Sequence, residues 1–338
     1  MAAINPIVVE ALFYGRENGK YRCHLCPHGC LIAPGKEGRC GARRGLDDML
    51  EAGTYGRVSS ICLDPIEKKP LYHFKPKEKA FSVGSVGCNM TCLHCQNYPL
   101  SQSFAGRKRT TYVSPPRLSA MCRSEKTDII AFTYNEPTIW PEYIFDVMRA
   151  DPELNCVLVT NGFCEEGPLK EICDITDAMN IDIKGFTEDF YGKICGGDMW
   201  KVLNSAEIVF EEGVHLELTY LLIPGHNDSP GELRRFTDWV MDSLSPGVPI
   251  HFTRFHPDNE MGGVPWTSPE SLKDARDLAL GAGLENVYVG NIISEDGGDT
   301  YCTNCGSAAI KRTGYLVDLS GLDGDRCASC RSTLNIIR

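Results

Sequence analysis

The stretch GCNMTCLHCQNYPLSQ (87–102) places three cysteines, Cys88, Cys92 and Cys95, at the spacing C-x3-C-x2-C. A zinc knuckle ordinarily pairs one C-x2-C with a second, and ferredoxin-type sites supply four cysteines to each cluster. The stretch 87–102 supplies three cysteines rather than four. The pattern therefore predicts a [4Fe–4S] cluster with one iron left open, and a fourth cysteine borrowed from elsewhere in the chain is the alternative.

Composition predicts a soluble, cytoplasmic protein. The chain has 338 residues, of which 42% are hydrophobic and 23% charged, and this is ordinary for a globular protein of one or two domains. No apolar run reaches the roughly 18–20 residues that span a membrane, and the first 20 residues lack the pattern of a signal peptide. The net charge of −11 argues against nucleic acid as a partner.

Cysteine is the unusual component, with 17 residues. The cytosol keeps thiols reduced, so clustered cysteines in such a chain favour metal binding over disulfides. Eleven fall into three groups, of which the opening stretch is the middle one. The other six are predicted to be small buried side chains; they are Cys62, Cys122, Cys156, Cys164, Cys173 and Cys195.

The N-terminal group has the pattern Cys23-x2-Cys26-x3-Cys30-x9-Cys40. Four thiolates within eighteen residues can close a tetrahedral site. Structural zinc is the favoured interpretation, and an iron–sulfur cluster or free thiols are the alternatives.

The C-terminal group consists of two C-x2-C pairs, Cys302 with Cys305 and Cys327 with Cys330. Paired knuckles of this kind are typical of a zinc ribbon, and rubredoxin-like iron in the same thiolate cage is the alternative. A tail of this size has too little core to fold alone, so metal would supply much of its stability.

Seven β-branched runs alternate with helical patterns through the middle of the chain. They are AFSVGSV (80–86), DIIAFTY (128–134), CVLVT (156–160), MNIDI (179–183), LELTYLLI (216–223), PIHFTRF (249–255) and NVYVG (286–290). This alternation predicts an α/β fold with a parallel sheet, as a partial or complete (β/α) TIM-like barrel or a doubly wound sheet. We expect a cysteine-rich segment at 1–75, the barrel at 76–298 and a zinc-ribbon or rubredoxin-like tail at 299–338.

Functional residues of such folds lie at the carboxyl ends of the strands. Polar residues recur there, from Asn135 after the second strand to Glu217 on the fifth and His256 after the sixth. Their recurrence indicates a functional rim.

The cysteine loop after the first predicted strand resembles the radical S-adenosylmethionine (SAM) superfamily. The run DPIEKKPLYHF (64–74), the glycine-bounded cysteine loop and Gln96-Asn97 resemble the pyruvate formate-lyase activating enzyme group. Within that group they are most similar to the branch named for the AmmeMemoRadiSam system. The likeness covers nearly the whole chain, both outer cysteine groups included.

The resemblance implies a reaction. In that family the open iron is chelated by SAM, and an electron from the reduced cluster splits SAM into methionine and a 5′-deoxyadenosyl radical that abstracts hydrogen. It implies an external one-electron donor of the ferredoxin or flavodoxin type. A small-molecule or peptide substrate, with AmmeMemo partner proteins, is favoured. Installing a glycyl radical on a partner enzyme is the first alternative, and a non-catalytic iron–sulfur or zinc scaffold is the second.

The resemblance also assigns SAM-binding positions. Glu136 stands where the family's Gly-Gly-Glu motif ends, although Tyr134 and Asn135 replace the glycines here; that glutamate binds the SAM amino group. Thr160 and Asn161 match a Thr-Asn-Gly turn near the methionyl group.

Asp182 and Lys184 match an Asp-x-Lys element whose lysine approaches SAM. Thr219 occupies a position where pyruvate formate-lyase activators have arginine, and His256 matches a histidine that faces SAM. Asn97, next to the cysteine loop, completes the implied set.

Overall fold

The computed structural model describes residues 8–102, 109–292 and 297–338. Residues 1–7, on which the expected absence of a signal peptide partly rests, lie outside these ranges. No helix in the described ranges is long and apolar enough to cross a membrane.

The N-terminal module is built from short antiparallel strands. These are β1 (Tyr14–Glu17), β2 (Lys20–Cys23), β3 (Leu31–Ile32), β4 (Arg43–Gly45) and β5 (Leu50–Ala52). The first three form one sheet and the last two form a hairpin. Tyr21, Leu25, Ile32 and Leu50 pack into a small core that is separate from the main one.

The main sheet has eight strands in the described part of the chain. The strands from residue 57 to residue 290, including one short two-stranded pair, are β6 (Arg57–Val58), β7 (Ser60–Pro65), β8 (Lys79–Gly84), β9 (Thr111–Tyr112), β10 (Ile129–Phe132), β11 (Asn155–Thr160), β12 (Ala178–Ile183), β13 (His215–Leu222), β14 (Ile250–Arg254) and β15 (Val287–Gly290). β6 pairs with β9, and the sheet runs in the order β7-β8-β10-β11-β12-β13-β14-β15.

All seven predicted strands are present and parallel, which confirms the α/β prediction. Their spatial order follows the chain without reversal, whereas a doubly wound sheet reverses its order at a switch point. The sheet is therefore a partial βα barrel, and the doubly wound alternative is wrong. The antiparallel edge strand β7 was not predicted, because most of its side chains are half-buried or exposed and give no apolar run.

Helices connect the parallel strands. The described helices are α1 (Tyr98–Ser101), α2 (Pro115–Ser124), α3 (Pro141–Ala150), α4 (Glu166–Cys173), α5 (Glu188–Phe190), α6 (Met199–Glu211), α7 (Pro230–Ser243) and α8 (Pro269–Gly281), with a π turn at Tyr191–Cys195 and 3-10 turns at Ile66–Lys68, Pro137–Ile139 and Asn259–Met261. Ser229 and Ser268 cap α7 and α8, with their hydroxyls accepting from backbone amides of the first turn. Both helices place proline directly after the cap, where its missing N–H costs nothing.

The scattered cysteines mostly follow the prediction. Five of the six are buried in the fold. Cys62 is exposed on the edge strand β7, so the prediction of burial was wrong there, since an edge strand has no neighbour to cover it.

The amino-terminal end of the barrel is closed. Ile66, Leu71 and Phe74 pack in one buried cluster with apolar side chains of the strands, which are Ala80, Ile129, Ala131, Val157 and Ala178. Because the described residues fill this end with apolar packing, a cavity can form at the carboxyl ends of the strands.

A buried carboxylate organises the same end. Glu217, fully buried, accepts hydrogen bonds from the ring nitrogens of His215 (3.0 Å) and His251 (2.6 Å). The backbone amides of Tyr72 (2.9 Å) and His73 (2.7 Å) also donate hydrogen bonds to the Glu217 carboxylate. Glu217 therefore ties the segment before β8 to β13 and β14, and its expected place on the functional rim was wrong.

The C-terminal tail docks against this closed end. It contains β16 (Thr300–Tyr301), β17 (Ala308–Thr313), β18 (Leu316–Asp318), β19 (Leu322–Asp323) and β20 (Arg326–Cys327). The buried Arg312 donates to the carbonyl of Tyr72 (2.6 Å) and lies 4.3 Å from the centre of its ring. The amide of Ile337 donates to the carbonyl of His73 (2.8 Å). The tail therefore packs on the barrel rather than standing apart from it.

Candidate active site

A cavity of about 300 Å³ opens at the carboxyl ends of the parallel strands. The three cysteines of the loop line it, together with seven of the eight residues that the resemblance assigned to SAM: Asn97, Glu136, Thr160, Asn161, Asp182, Lys184 and Thr219. The eighth residue, His256, is not among the described lining residues, and its ring centre lies 5.3 Å from that of Trp266. One cavity thus collects residues of β11, β12 and β13 and of the loops that follow β8 and β10.

The cysteine loop is fixed by a glycine and an asparagine. Gly87 has φ +91°, and a Cβ there would lie 2.3 Å from the carbonyl oxygen of Cys40 in the N-terminal module. Asn135 accepts from the amide of Ser85 (2.8 Å) and donates to the carbonyl of Gly87 (3.1 Å). The loop is therefore held on one side by the module and on the other by the end of β10.

Each thiol of the loop has its own surroundings. Cys88 accepts from the side-chain amide of Asn161 at 3.5 Å, and burial raises the pKa of Cys88 well above its ordinary value. A hydrogen bond from the Cys195 thiol lowers the pKa of Cys92, although burial opposes that shift. Burial raises the pKa of Cys95. Deprotonation of Cys88 and Cys95 thus needs a cationic partner, which a metal centre supplies.

The three cysteines fit a four-iron cluster better than a single ion. In the described chain their sulfurs do not belong to any group of three His, Cys, Asp or Glu ligand atoms within 4.8 Å of one another. A single tetrahedral ion with bonds of about 2.3 Å holds its sulfurs about 3.8 Å apart. A four-iron cluster binds each thiolate to a different iron and so keeps the sulfurs farther apart.

The Cys195 side chain was not expected at this site. It is fully buried at the end of the π turn. The carbonyl of Ile194 accepts a hydrogen bond from the amide of Leu93, and the carbonyl of Cys195 accepts one from the amide of Thr91, each at 2.9 Å. It is the scattered cysteine that contacts the loop through Cys92. Sequence spacing could not reveal it, because about a hundred residues separate the two segments.

Glu136 is the buried carboxylate of the cavity. It accepts from the amide (2.9 Å) and hydroxyl (2.8 Å) of Thr138, the hydroxyl of Thr160 (2.6 Å) and the amide of Asn161 (2.8 Å). Burial raises the pKa of Glu136, and these four hydrogen bonds oppose the shift. The carboxylate is thus locked in one orientation against the cavity.

Tyr134 takes the backbone conformation that glycine ordinarily provides. Its φ is +72°, which costs a non-glycine residue about 1–2 kcal/mol. Its hydroxyl donates to Asp64 (2.9 Å), and the ammonium of Lys69 lies 5.1 Å from its ring centre. These contacts offset the strain, so the chain reaches Glu136 without the family's Gly-Gly pair.

Asp182 and Lys184 form an ion pair of 2.6 Å on the cavity wall. Burial disfavours the charge of Lys184, but the carboxylate of Asp182 and the nearby Cys92 hold the pKa of Lys184 above its ordinary value. The lysine therefore presents a fixed positive charge beside the cysteine loop.

Other lining residues escaped the sequence-based assignment. Lys68 reaches the cavity from the turn before β8, and His94 reaches it from between Cys92 and Cys95. The position of His94 inside the motif was a usable signal. Lys68 was not predictable, because its place depends on how β7 packs at the sheet edge.

The two outer cysteine groups differ in geometry. The four C-terminal sulfurs all lie within 4.8 Å of one another, the only such group in the described residues. Two contacts, Cys302 to Cys330 at 3.6 Å and Cys305 to Cys327 at 3.7 Å, match the spacing around a single tetrahedral ion. A hydrogen bond with Ser332 lowers the pKa of Cys330 to about 5.

Similar proteins support the assignment of a family. Residues 82–237 match the Radical SAM superfamily. The chain is 38% identical over 333 residues to an uncharacterised protein of Methanocaldococcus jannaschii. The alignment covers 97% of this chain and 99% of that protein. It is 20% identical over 188 residues to the pyruvate formate-lyase 1-activating enzyme of Escherichia coli K12, across 54% of this chain and 75% of that enzyme.

Among solved structures, the chain is similar to a domain of a pyruvate-formate lyase-activating enzyme from Bacteroides vulgatus. The identity is 17% and the TM-score 0.42, over 48% of this chain and 98% of that one. From the match across residues 82–237 and the cysteine loop at the end of the first parallel strand, we conclude that the chain contains a radical SAM superfamily domain.

Proposed function

We propose that this protein holds a [4Fe–4S] cluster through Cys88, Cys92 and Cys95 and cleaves SAM reductively to start a hydrogen abstraction. The observation that carries the proposal is the convergence of three thiols, a buried carboxylate and a lysine on one cavity. Its volume of about 300 Å³ is at the lower end of the range for small-ligand sites.

The charges of the cavity complement SAM. Glu136 offers an oriented carboxylate to the amino group of the methionyl part, and Lys184 offers a cation to its carboxylate. Thr160 and Asn161 hold Glu136 in place and so position the amino group indirectly. Preorganised groups of opposite charge bind without reorganisation when the ligand arrives.

When bound, the reduced cluster supplies the electron that breaks the S–C5′ bond of SAM, giving methionine and a 5′-deoxyadenosyl radical. An external donor of the ferredoxin or flavodoxin type would provide that electron. The chain's own residues bind and orient SAM, and the closed amino-terminal end of the barrel keeps water from reaching the cavity from below.

Calorimetric titration of SAM tests the charge assignment. Lys184→Met should weaken SAM binding by about 10- to 100-fold, the loss of one charged hydrogen bond. Lys193→Met is the matched control, since Lys193 is an exposed lysine nine residues along the chain from Lys184. Both variants are compared with the parent at equal iron content. Equal SAM affinity in Lys184→Met would contradict the role of this lysine, and a parent protein that carries iron but binds no SAM would favour the scaffold alternative.

The substrate we propose is a small molecule or a peptide, used together with AmmeMemo partner proteins. The likeness of the run at 64–74 and the uncharged Thr219 on the cavity wall support this choice. The hydroxyl of Thr219 donates to Asn180 at 3.0 Å, so this wall offers no cation where pyruvate formate-lyase activators have arginine.

The second candidate is activation of a glycyl radical enzyme. It is favoured by the 20% identity to the Escherichia coli activating enzyme. Deuterated candidate substrates distinguish between the two candidate functions. Deuterium transferred from a small molecule or peptide into 5′-deoxyadenosine supports the first, whereas transfer from a glycine of a partner enzyme, with a glycyl radical signal, supports the second.

We also assign the C-terminal group to a structural zinc ion. The compact sulfur cage and its position on the closed end of the barrel, far from the rim, support a structural role. Metal analysis of a Cys327→Ser variant should show about one zinc per chain less than in the parent. Loss of iron instead would favour the rubredoxin-like alternative.

A further inference from the structure

The four N-terminal cysteines form one group within the small module. The amide of Cys23 donates to the carbonyl of Cys30 at 3.0 Å, and the amide of Gly29 closes a turn onto the carbonyl of Cys26 at 3.0 Å. Cys40 joins from the loop before β4, where it packs in the same apolar cluster as Cys23 and Cys30. The fold thus gathers thiols that are spread over eighteen residues.

Backbone amides are arranged around these thiols. The amide of Ala42 donates to the sulfur of Cys40 at 3.5 Å. The amides of Leu25 and His28 donate to the first two thiols of the group. Hydrogen bonds from N–H groups to sulfur stabilise thiolates, and they are a usual feature around metal–sulfur centres.

A buried arginine faces the same group. Arg43 is 1% exposed, and its Nη1 lies 2.7 Å from Glu142. Beyond this ion pair, its Nε and Nη2 have no hydrogen-bond partner among the described residues. Its other electrostatic partners are the thiol groups of Cys23 and Cys40. A buried guanidinium with unsatisfied nitrogens is costly, so its position indicates that an anionic centre belongs beside it.

The sulfur spacing distinguishes the kinds of centre. In the described ranges, no three of the N-terminal sulfurs lie within 4.8 Å of one another, whereas all four C-terminal sulfurs do. A single zinc ion requires the close spacing, and a cluster of several irons requires the wider one. Neither the described N-terminal sulfurs nor those of Cys88, Cys92 and Cys95 have the close spacing of a single-ion site.

We propose that Cys23, Cys26, Cys30 and Cys40 hold an iron–sulfur cluster of the four-iron type, with Arg43 balancing its negative charge. The module carrying it touches the cysteine loop directly, since a ring nitrogen of His28 lies 2.7 Å from the carbonyl of Asn89. This second cluster site stands on its own residues and does not depend on the reaction proposed above.

The test removes the cysteine loop's thiols and leaves the N-terminal group. The triple variant C88A/C92A/C95A is reconstituted anaerobically with iron and sulfide, then assayed for iron, sulfide and zinc. It should retain about four iron and four sulfide per chain. Adding Cys26→Ala should remove them, whereas adding Cys62→Ser, a change at an exposed cysteine outside the three groups, should leave them unchanged.

Three outcomes would overturn the proposal. They are a triple variant with no iron and about two zinc per chain, a triple variant with neither iron nor extra zinc at the N-terminal group, and about four iron per chain that persist after Cys26→Ala. The first measurement uses an intact N-terminal module, so it stands even if Cys26→Ala misfolds. If the N-terminal group holds no cluster, the assay of SAM cleavage by the parent protein is unaffected, because that reaction depends on Cys92.

Discussion

At the residue scale, the site depends on a few backbone positions that only particular residues can occupy. Gly87 combines a positive φ with contact against the carbonyl of Cys40. Tyr134 adopts a positive φ without being glycine, because Asp64 and Lys69 hold its side chain. The first position tolerates no side chain, and the second is tolerable only with its partners present.

Replacing Gly87 with alanine separates strain from steric clash. Gly213 is the matched control, because it also has a positive φ (+75°) but has open space around its missing Cβ. Gly213→Ala should cost about 1 kcal/mol, whereas Gly87→Ala should cost about 3 kcal/mol or more, because the backbone of the loop must also move. Urea unfolding and iron content after reconstitution measure both effects. Equal costs in the two variants would show that the module does not press on the loop.

At the element scale, the parallel strands were predictable and the connections between them were not. The β-branched runs predicted the seven parallel strands to within one or two residues of their observed bounds. The edge strand β7 lacked an apolar pattern, and the strand-end rule misplaced Glu217, whose partners His215 and His251 come from its own and the neighbouring strand. The sequence alone therefore does not predict whether a polar residue on a strand faces the open or the closed end of the barrel, because this depends on packing.

The histidine beside this carboxylate predicts a pH dependence. Burial lowers the pKa of His73 from its ordinary 6.5 to about 4. The unfolded chain therefore binds a proton that the folded chain refuses, so the stabilisation is complete above pH 6.5 and is lost as the pH falls toward 4. Its ring donates to the carbonyl of Asn335 (2.6 Å) and accepts from the hydroxyl of Tyr288 (2.5 Å), two contacts that glutamine can imitate.

The free energy of unfolding of the parent should fall as the pH is lowered from 6.5 to 5. In His73→Gln the slope of this fall should be smaller by about 1.4 kcal/mol per pH unit, which is the contribution of one proton. Chemical denaturation at a series of pH values gives this slope directly, and the slope is independent of the variant's absolute stability. An unchanged slope would mean that His73 is not held neutral in the fold.

At the scale of the whole molecule, the barrel is braced at both ends by cysteine-rich modules. The N-terminal module supports the cysteine loop at the rim through Cys40 and His28. The C-terminal tail seals the closed end through Arg312. Cysteine spacing predicted both modules, but their docking could not be predicted, because it depends on single contacts between segments that are distant in the chain.

The docked tail predicts that its metal stabilises the barrel. Cys327→Ser should lower the free energy of unfolding of the whole chain by about 3 kcal/mol or more, because losing the ion releases Arg312 and Ile337 from the closed end. Thermal unfolding followed by tryptophan fluorescence, to which the buried Trp140 of the barrel core contributes, measures it, with Cys62→Ser as the control. An unchanged barrel transition would mean that the tail folds independently of it.

The central claim is that the loop at Cys88, Cys92 and Cys95 serves reductive cleavage of SAM. The most direct measurement is the yield of 5′-deoxyadenosine and methionine from anaerobically reconstituted protein with SAM and dithionite. We predict equal amounts of the two products from the parent and from Cys62→Ser, and none from Cys92→Ala. Product formation by Cys92→Ala, or no product from parent protein carrying its full iron content, would contradict the account.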